Sequence, residues 1–248
     1  MSLGLGMDKK IILVTGASSG IGEAVATRLA EERHTVVLTG RNRKKLEAME
    51  RSMASEGKRV VAVAGDMTRE EDVRHIVAEA LKTFGTLHAL VHSAGVFRMN
   101  RIESTPYEEF RQVLDTNLTS TYYLLKYLIP HFYKQGSGHV IALSSIAGKI
   151  GFPEETAYCA SKWGLMGLLA ALRLEAAPKG VKVTAVLPGA TLTPAWDSFT
   201  GPLPKDRLMA AESVAEAVIY ALSQPAAANV DEIHLMPSRD PFNGPYKG

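Results

Sequence analysis

The sequence predicts an α/β fold: a doubly wound parallel sheet of about seven strands with helices on both faces. Three observations carry this. Short runs rich in Val and Ile alternate with longer segments whose apolar residues recur at helical spacing. Several of the short runs are continuously apolar, as strands buried on both faces require. The chain has 248 residues and one cysteine, enough length for a core that needs no disulfide staple.

The elements follow in order. The first strand is read over residues 10–15 (KIILVT), and a helix over 21–33 sets Ala24, Val25, Leu29 and Ala30 on one face. A second strand spans 35–39, a charged helix 44–56 and a third strand 59–64. Thr68 and Glu71 have capping-box spacing and open a helix to Phe84; residues 87–92 (LHALVH) form the fourth strand. Thr105, Pro106 and Glu108 read as cap, first position and third position of a helix that runs to Ile129, where Pro130 ends or kinks it. A fifth strand spans 139–144. A long helix over 156–176 is closed by Pro178 and Gly180. A sixth strand at 181–187, a helix at 213–223 and a short strand at 232–236 complete the pattern.

Composition narrows the function classes. Hydrophobic residues make up 46% and charged residues 22%, ordinary values for a globular domain. Lys and Arg total 28 against 26 for Asp and Glu, and a net charge of +2 gives no reason to expect a nucleic-acid or anionic-membrane partner. No run of about 18 apolar residues occurs, so no membrane span is expected and a cytoplasmic location is. Residues 1–6 (MSLGLG) lack a signal-peptide pattern and read as an appended remnant or a disordered N-terminus ahead of Met7.

Between the first strand and its helix lies Thr15-Gly16-Ala17-Ser18-Ser19-Gly20-Ile21-Gly22. Glycines there let the backbone turn tightly and approach a pyrophosphate, whose charge then lies on the helix N-terminus. This segment resembles the TGxxxGIG signature of the short-chain dehydrogenase/reductase family. Four more segments resemble that family in the same order. Ser93-Ala94-Gly95 matches its NNAG turn, with His92 and Ser93 in place of the asparagines; Asn117 matches its mid-chain asparagine. Ser144-Ser145 with Tyr158-Cys159-Ala160-Ser161-Lys162 matches its active-site block, and Pro188-Gly189-Ala190-Thr191-Leu192-Thr193 its PGxxxT segment. The resemblance covers residues 8–236 and implies a Rossmann-like fold, with 7–248 a single dinucleotide-binding and catalytic domain.

The strand-two end speaks to the cofactor. NAD-binding units carry an acidic residue about 20 positions past the loop for the ribose 2′-hydroxyl. No Asp or Glu lies between Thr35 and Lys45, whereas Arg41, Arg43, Lys44 and Lys45 do. An arginine can grip a 2′-phosphate with two parallel hydrogen bonds, so NADP(H) is expected over NAD(H), with Arg41 the first phosphate ligand and Arg43 secondary. The lysines, and Arg43 with them, can also be the solvated face of the next helix. Asp66 holds the adenine ring or caps a helix. The resemblance further implies cofactor contacts at Gly16, Ser18, Ser19, Gly20, Ile21, Gly22, Ala94, Gly95, Pro188, Gly189 and Thr193, as well as Tyr158 and Lys162.

Tyr158 and Lys162 are four apart and share a helix face. Lowering a phenol pKa from about 10 by ~3 units takes roughly 4 kcal/mol of preferential phenolate stabilisation. The Lys162 ammonium and an oxidised nicotinamide can supply it together in a partly dry site. The resemblance implies that Tyr158 is the general acid/base and that Lys162 tunes it and binds the nicotinamide ribose. It implies that Ser145, thirteen residues before Tyr158, bonds the substrate oxygen, with Ser144 the adjacent alternative. Asn117 then holds a water in a proton relay, or else makes a core hydrogen bond. Hydride transfer needs no metal, and the His88/His92 pair lies on a strand without a partner glutamate, so no metal site is expected.

The reading is therefore an NADP(H)-dependent oxidoreductase acting on a small, partly apolar carbonyl or secondary alcohol. The alternative is a catalytically silent NADP(H)-binding redox sensor or scaffold, in which a broken tetrad would be expected. Residues 194–204 (PAWDSFTGPLP) read as a mobile substrate lid, and Phe97, Met99, Ile146, Phe152 and Trp196 as pocket lining or core. Packing through the two long central helices would make a homo-oligomer, a tetramer or dimer.

Overall fold

The fold is described from a computed structural model, covering residues 9–199, 201–239 and 241; the 1–6 segment lies outside the described residues. The strands are β1 (Ile11–Thr15), β2 (Thr35–Gly40), β3 (Val60–Ala64), β4 (Ala89–His92), β5 (Gly138–Leu143), β6 (Val181–Pro188) and β7 (Glu232–Leu235). All pair in parallel, in the order β3-β2-β1-β4-β5-β6-β7. The helices are α1 (Gly20–Glu31), α2 (Arg43–Ser55), α3 (Glu70–Phe84), α4 (Tyr107–Leu114), α5 (Ser120–Gln135), α6 (Thr156–Ala176) and α7 (Ala211–Ser223).

The continuous apolar strands are buried on both faces, as expected. Along β1, Leu13 packs in one core with Val73, Ile76 and Val77 of α3, Leu124 and Leu128 of α5, and Leu165 and Leu169 of α6. Its neighbours Ile12 and Val14 face the opposite core, with Val25 and Leu29 of α1, Leu46 of α2, and Val214 and Val218 of α7. Each fully buried aliphatic side chain contributes roughly 1.5–3 kcal/mol. The chain order reverses between β1 and β4, and there the carboxyl ends of the strands open a crevice.

Four local expectations are corrected. Pro130 does not end its helix: α5 runs on to Gln135 and stops at Gly136, whose left-handed backbone (φ 69°) ends it. The segment read as one helix from Thr105 is divided, since a π-helical turn over Asp115–Thr119 separates α4 from α5. Thr105 is no cap, because its hydroxyl donates back to the Arg101 carbonyl and α4 begins after Pro106. Likewise α3 begins after Arg69, not at Thr68, whose amide and hydroxyl both donate to Asp66 Oδ1 in a local turn.

Candidate active site

The loops following β1 to β6 line one cleft of about 690 Å³. The glycine loop forms one wall. Gly16 has a left-handed backbone (φ 66°), and a Cβ there would meet the Ala94 amide at 2.9 Å. Gly22, in the first turn of α1, packs directly over the Gly16 carbonyl and leaves no room for a side chain. Gly20 lies against Thr193, where a Cβ would come within 3.1 Å. The N-cap Ser19 gives α1 no side-chain cap, so its first amides are left for a bound anion. Ser18, Ser19, Gly20 and Ile21 all border the cleft.

The turn after β4 is tied to this loop by a histidine. Thr15 Oγ1 accepts from the Ser93 and Ala94 amides, each at 3.2 Å, and lies 2.8 Å from His92 Nδ1. With its acceptor sites so used, the threonine hydroxyl gives its proton to Nδ1. The ring then carries its own proton on Nε2 and donates toward Ser120 Oγ at 3.3 Å. Ser120 in turn donates to the Thr116 carbonyl. Burial pushes the His92 pKa down to about 3, with Lys162 adding to the effect, so the ring is neutral. His92 thus replaces the family's asparagine as an anchor of this turn.

Asn117 lies in the π-helical turn, buried. Its Oδ1 accepts from the Val96 amide at 2.8 Å; its Nδ2 donates to the Val96 carbonyl at 2.9 Å and to Ser161 Oγ at 3.0 Å. Both amide hydrogens are committed. The side chain holds the Gly95–Val96 turn against α6.

The block of Ser144, Ser145, Tyr158 and Lys162 stands at the cleft floor. Tyr158 and Lys162 lie on one face of α6, with Lys162 Nζ 5.6 Å from the phenol ring centroid. Lys162 donates to the Leu143 carbonyl at 2.9 Å, and burial lowers its pKa to about 8. Burial raises the Tyr158 pKa above the ordinary value; Ser145 works against this, while Glu155 and Cys159 add to it. In the protein alone the phenol is therefore an acid, and tuning by Lys162 does not by itself make it a base. Ser145 Oγ accepts from the Ala147 amide at 3.1 Å and sits beside the phenol, whereas Ser144 Oγ is buried without a hydrogen-bond partner among the described residues.

Aromatic side chains cover one end of the cleft. Phe97 meets the Tyr158 ring edge-on at 5.0 Å and packs against Trp196 at 5.2 Å, and Trp196 meets Phe199 at 5.6 Å. The Trp196 indole donates to the Thr191 carbonyl at 2.9 Å. Ile146 and Phe152 also line the cleft; Met99 does not. Asp66, Pro188, Gly189, Thr193, Gly95 and Ala94 border it too. Arg41 borders it just after β2, and its guanidinium makes no hydrogen bond or ion pair among the described residues. Arg43 instead faces Glu47, 3.9 Å away on the solvent side of α2, and Lys45 pairs with Glu23 at 2.8 Å.

A model of the short chain dehydrogenases matches residues 10–201. The chain belongs to the short-chain dehydrogenase family. An uncharacterized oxidoreductase of Staphylococcus aureus (strain MRSA252) is 38% identical over 229 residues, covering 92% of this chain and 97% of its own. One from Staphylococcus haemolyticus (strain JCSC1435) is 35% identical over 233 residues, 93% and 98% of the two chains. Among solved structures, an alcohol dehydrogenase from the archaeon Thermococcus sibiricus complexed with 5-hydroxy-NADP superposes with a TM-score of 0.87 at 28% identity, covering 93% of this chain and 97% of that one. A metagenomic short-chain oxidoreductase in complex with NADP gives 0.81 at 29%, with 93% and 98% covered.

In this short-chain dehydrogenase the cleft fits a dinucleotide on its own features: the uncapped amides of α1, the glycine cradle without room for a Cβ, and a free guanidinium at the end of β2. No group of three or more metal-ligating side chains occurs among the described residues. No helix of the described residues is long and apolar enough to cross a membrane. Sequence reasoning passed over several cleft residues, the charged Glu155 and Arg98 among them. The only signal for Glu155 was an acidic pair just ahead of the Tyr158 helix, a position that also reads as a helix start.

Proposed function

We propose that the chain is an NADP(H)-dependent oxidoreductase that interconverts a carbonyl compound and a secondary alcohol, of the alcohol dehydrogenase type. The observation that carries this is the convergence of Ser145, Tyr158 and Lys162 on the cleft floor, next to a glycine loop with open amide groups. The NADP and 5-hydroxy-NADP complexes of the structural relatives support the cofactor. The bound cofactor supplies or receives the hydride at its nicotinamide.

The protein's own part is binding and proton transfer. Ser18, Ser19 and Ile21 hold the pyrophosphate with Gly16, Gly20 and Gly22 giving it room; Arg41 takes the 2′-phosphate, and Asp66 borders the adenine. Ala94, Gly95, Pro188, Gly189 and Thr193 flank the nicotinamide end. Ser145 donates a hydrogen bond to the substrate oxygen and Tyr158 gives that oxygen its proton in reduction, or takes it in oxidation. Lys162 holds the nicotinamide ribose and, with the positive nicotinamide, stabilises the phenolate in the oxidative direction. Asn117 positions the Val96 turn. The aromatic cover of Phe97 and Trp196 keeps water from the reacting carbon. A single domain carries both sites, and the chain works as a homo-oligomer through α4–α5 and α6.

A panel of ketones, aldehydes and secondary alcohols, followed at the absorbance band of reduced cofactor, tests the reading. Turnover with NADPH or NADP⁺ is expected for small, partly apolar members. Tight NADPH binding with no turnover across the panel would instead favour a silent sensor.

A further inference from the structure

Two carboxylates border the substrate end of the cleft, exposed Asp197 beside Trp196 and half-buried Glu155, three residues ahead of Tyr158. Glu155 borders the cleft with the aromatic side chains of Phe97, Phe152 and Trp196. Its backbone is well used: the amide donates to the Phe152 carbonyl, and its own carbonyl accepts from the Cys159 amide at 2.7 Å. Its carboxylate has no hydrogen bond or ion pair among the described residues. Arg98 lines the same cleft, but its guanidinium donates to the Phe97 carbonyl at 2.8 Å and makes no ion pair with Glu155.

The backbone around Glu155 is held in place at a cost. Glu154 has a left-handed conformation (φ 64°), unfavourable for a residue with a side chain by roughly 1–2 kcal/mol. The Asn100 amide donates to the Glu154 carbonyl, Asn100 bridges to Glu155, and Arg101 lies 3.5 Å from the Glu154 carboxylate. The loop after β4 thus clamps the turn that sets Glu155 into the cleft. A carboxylate half removed from water without a partner destabilises the fold, and an apolar residue would pack this wall better. The Glu155 pKa is accordingly pushed up to about 7 by burial. The group makes sense as one that a ligand satisfies.

Resting on the oxidoreductase reading, we infer that Glu155 recognises the substrate, and that the substrate is a carbonyl compound bearing a hydroxyl group that hydrogen-bonds to this carboxyl while its apolar body lies against Phe97, Phe152 and Trp196. A hydroxyl suits the site better than an ammonium group. It donates to the carboxylate and accepts from the carboxylic acid, so it satisfies Glu155 in both protonation states present near neutrality. An ammonium can pair only with the carboxylate.

The test uses three matched pairs, hydroxyacetone with acetone, acetoin with butanone, and 2-hydroxyacetophenone with acetophenone, titrated calorimetrically into the protein with saturating NADP⁺. The wild type is expected to bind at least one hydroxyketone about tenfold more tightly than its deoxy partner. Glu155→Gln, which keeps an acceptor, should retain most of that ratio. Glu155→Leu should bring it near unity while leaving NADP⁺ affinity and the deoxy ketone unchanged. A ratio near unity for all three pairs in the wild type, or an undiminished ratio in Glu155→Leu, overturns the inference. Because binding is read, its failure is separable from that of the oxidoreductase reading. Discrimination without reduction of any ketone by NADPH rejects the reaction and keeps the recognition; reduction without discrimination does the reverse.

Discussion

Lys162 Nζ donates to the Leu143 carbonyl at 2.9 Å, so the ammonium that faces the Tyr158 ring is moored to the end of β5 and is nearly excluded from water. One backbone bond does not replace hydration, and the lysine pKa falls to about 8 from the ordinary 10.5. Between those values the unfolded chain binds the proton and the folded chain does not. Stability tied to this group is therefore absent below about pH 8 and grows as pH rises toward 10.5. The full effect is about 3 kcal/mol. Comparing denaturant unfolding of the cofactor-free wild type with Lys162→Met, the difference should move in favour of the wild type from pH 8 to 10. A pH-independent difference would contradict the buried, depressed ammonium.

Tyr158→Phe removes the proton that Tyr158 would pass to the substrate oxygen while keeping the ring that Phe97 meets edge-on. Turnover should fall by about 10²–10⁴-fold, the usual share of general acid catalysis. The NADPH dissociation constant, read by fluorescence, should change less than about twofold, since one lost hydrogen bond to the ribose is worth little net. Activity retained in this variant would remove Tyr158 from the chemistry.

How far the sequence carried the reading differs by element. The apolar runs and the helix over 156–176 were legible because burial on both faces leaves no polar interruption and a long helix gives its period many repeats. The glycine loop was legible because its conformation can hardly be made otherwise. The division of α4 from α5 was hidden, because a π-helical turn changes hydrogen bonding without changing residue type. Pro130 misled because a helix held by Leu124, Leu128 and Phe132 in the core tolerates one missing donor. The His92 network and the set of Glu155 depend on residues 77 and 55 positions away in Thr15 and Asn100, and no local pattern announces such partners.

Gly22→Ala probes the cradle directly. The added methyl would collide with the Gly16 carbonyl, a backbone atom that cannot turn aside as a side chain can. Overpacking of this kind costs roughly 1–3 kcal/mol, and the displaced loop loses its fit to a pyrophosphate. The midpoint of thermal unfolding should drop, and NADPH affinity should fall by about tenfold or more. Gly57→Ala serves as control, since nothing lies within 4 Å of a Cβ there and only its left-handed backbone is penalised. Equal NADPH affinity in the two variants would contradict a phosphate cradle at Gly22.

The outer faces of α5 and α6 carry large exposed apolar groups: Tyr122 at 49% exposure, Trp163 at 53% and, near the end of α6, Leu174 at 79%. Groups of this size on two adjacent helices suit a subunit interface. Light scattering should give a mass of two or four chains, and Trp163→Glu should shift it downward. A monomer at micromolar concentration would refute the assembly.

Arg41 is expected to decide the cofactor. It follows β2 on the cleft wall, its guanidinium without a partner among the described residues, while Arg43 is turned to Glu47 and Lys45 to Glu23. The 2′-phosphate should therefore depend on Arg41 and hardly at all on its neighbours. Arg41→Ala is expected to weaken NADPH by about tenfold or more, the loss of one charge-assisted bidentate contact, with NADH unchanged. Arg41→Asp should go further and favour NADH, because a carboxylate there repels the phosphate and can accept from the free 2′-hydroxyl. Arg43→Ala should leave both affinities within about twofold, as a solvent-exposed pair contributes little. Fluorescence titration of the three variants with each cofactor measures all of this. Equal NADH and NADPH affinity in the wild type would show that the free guanidinium at the end of β2 does not read the 2′-phosphate.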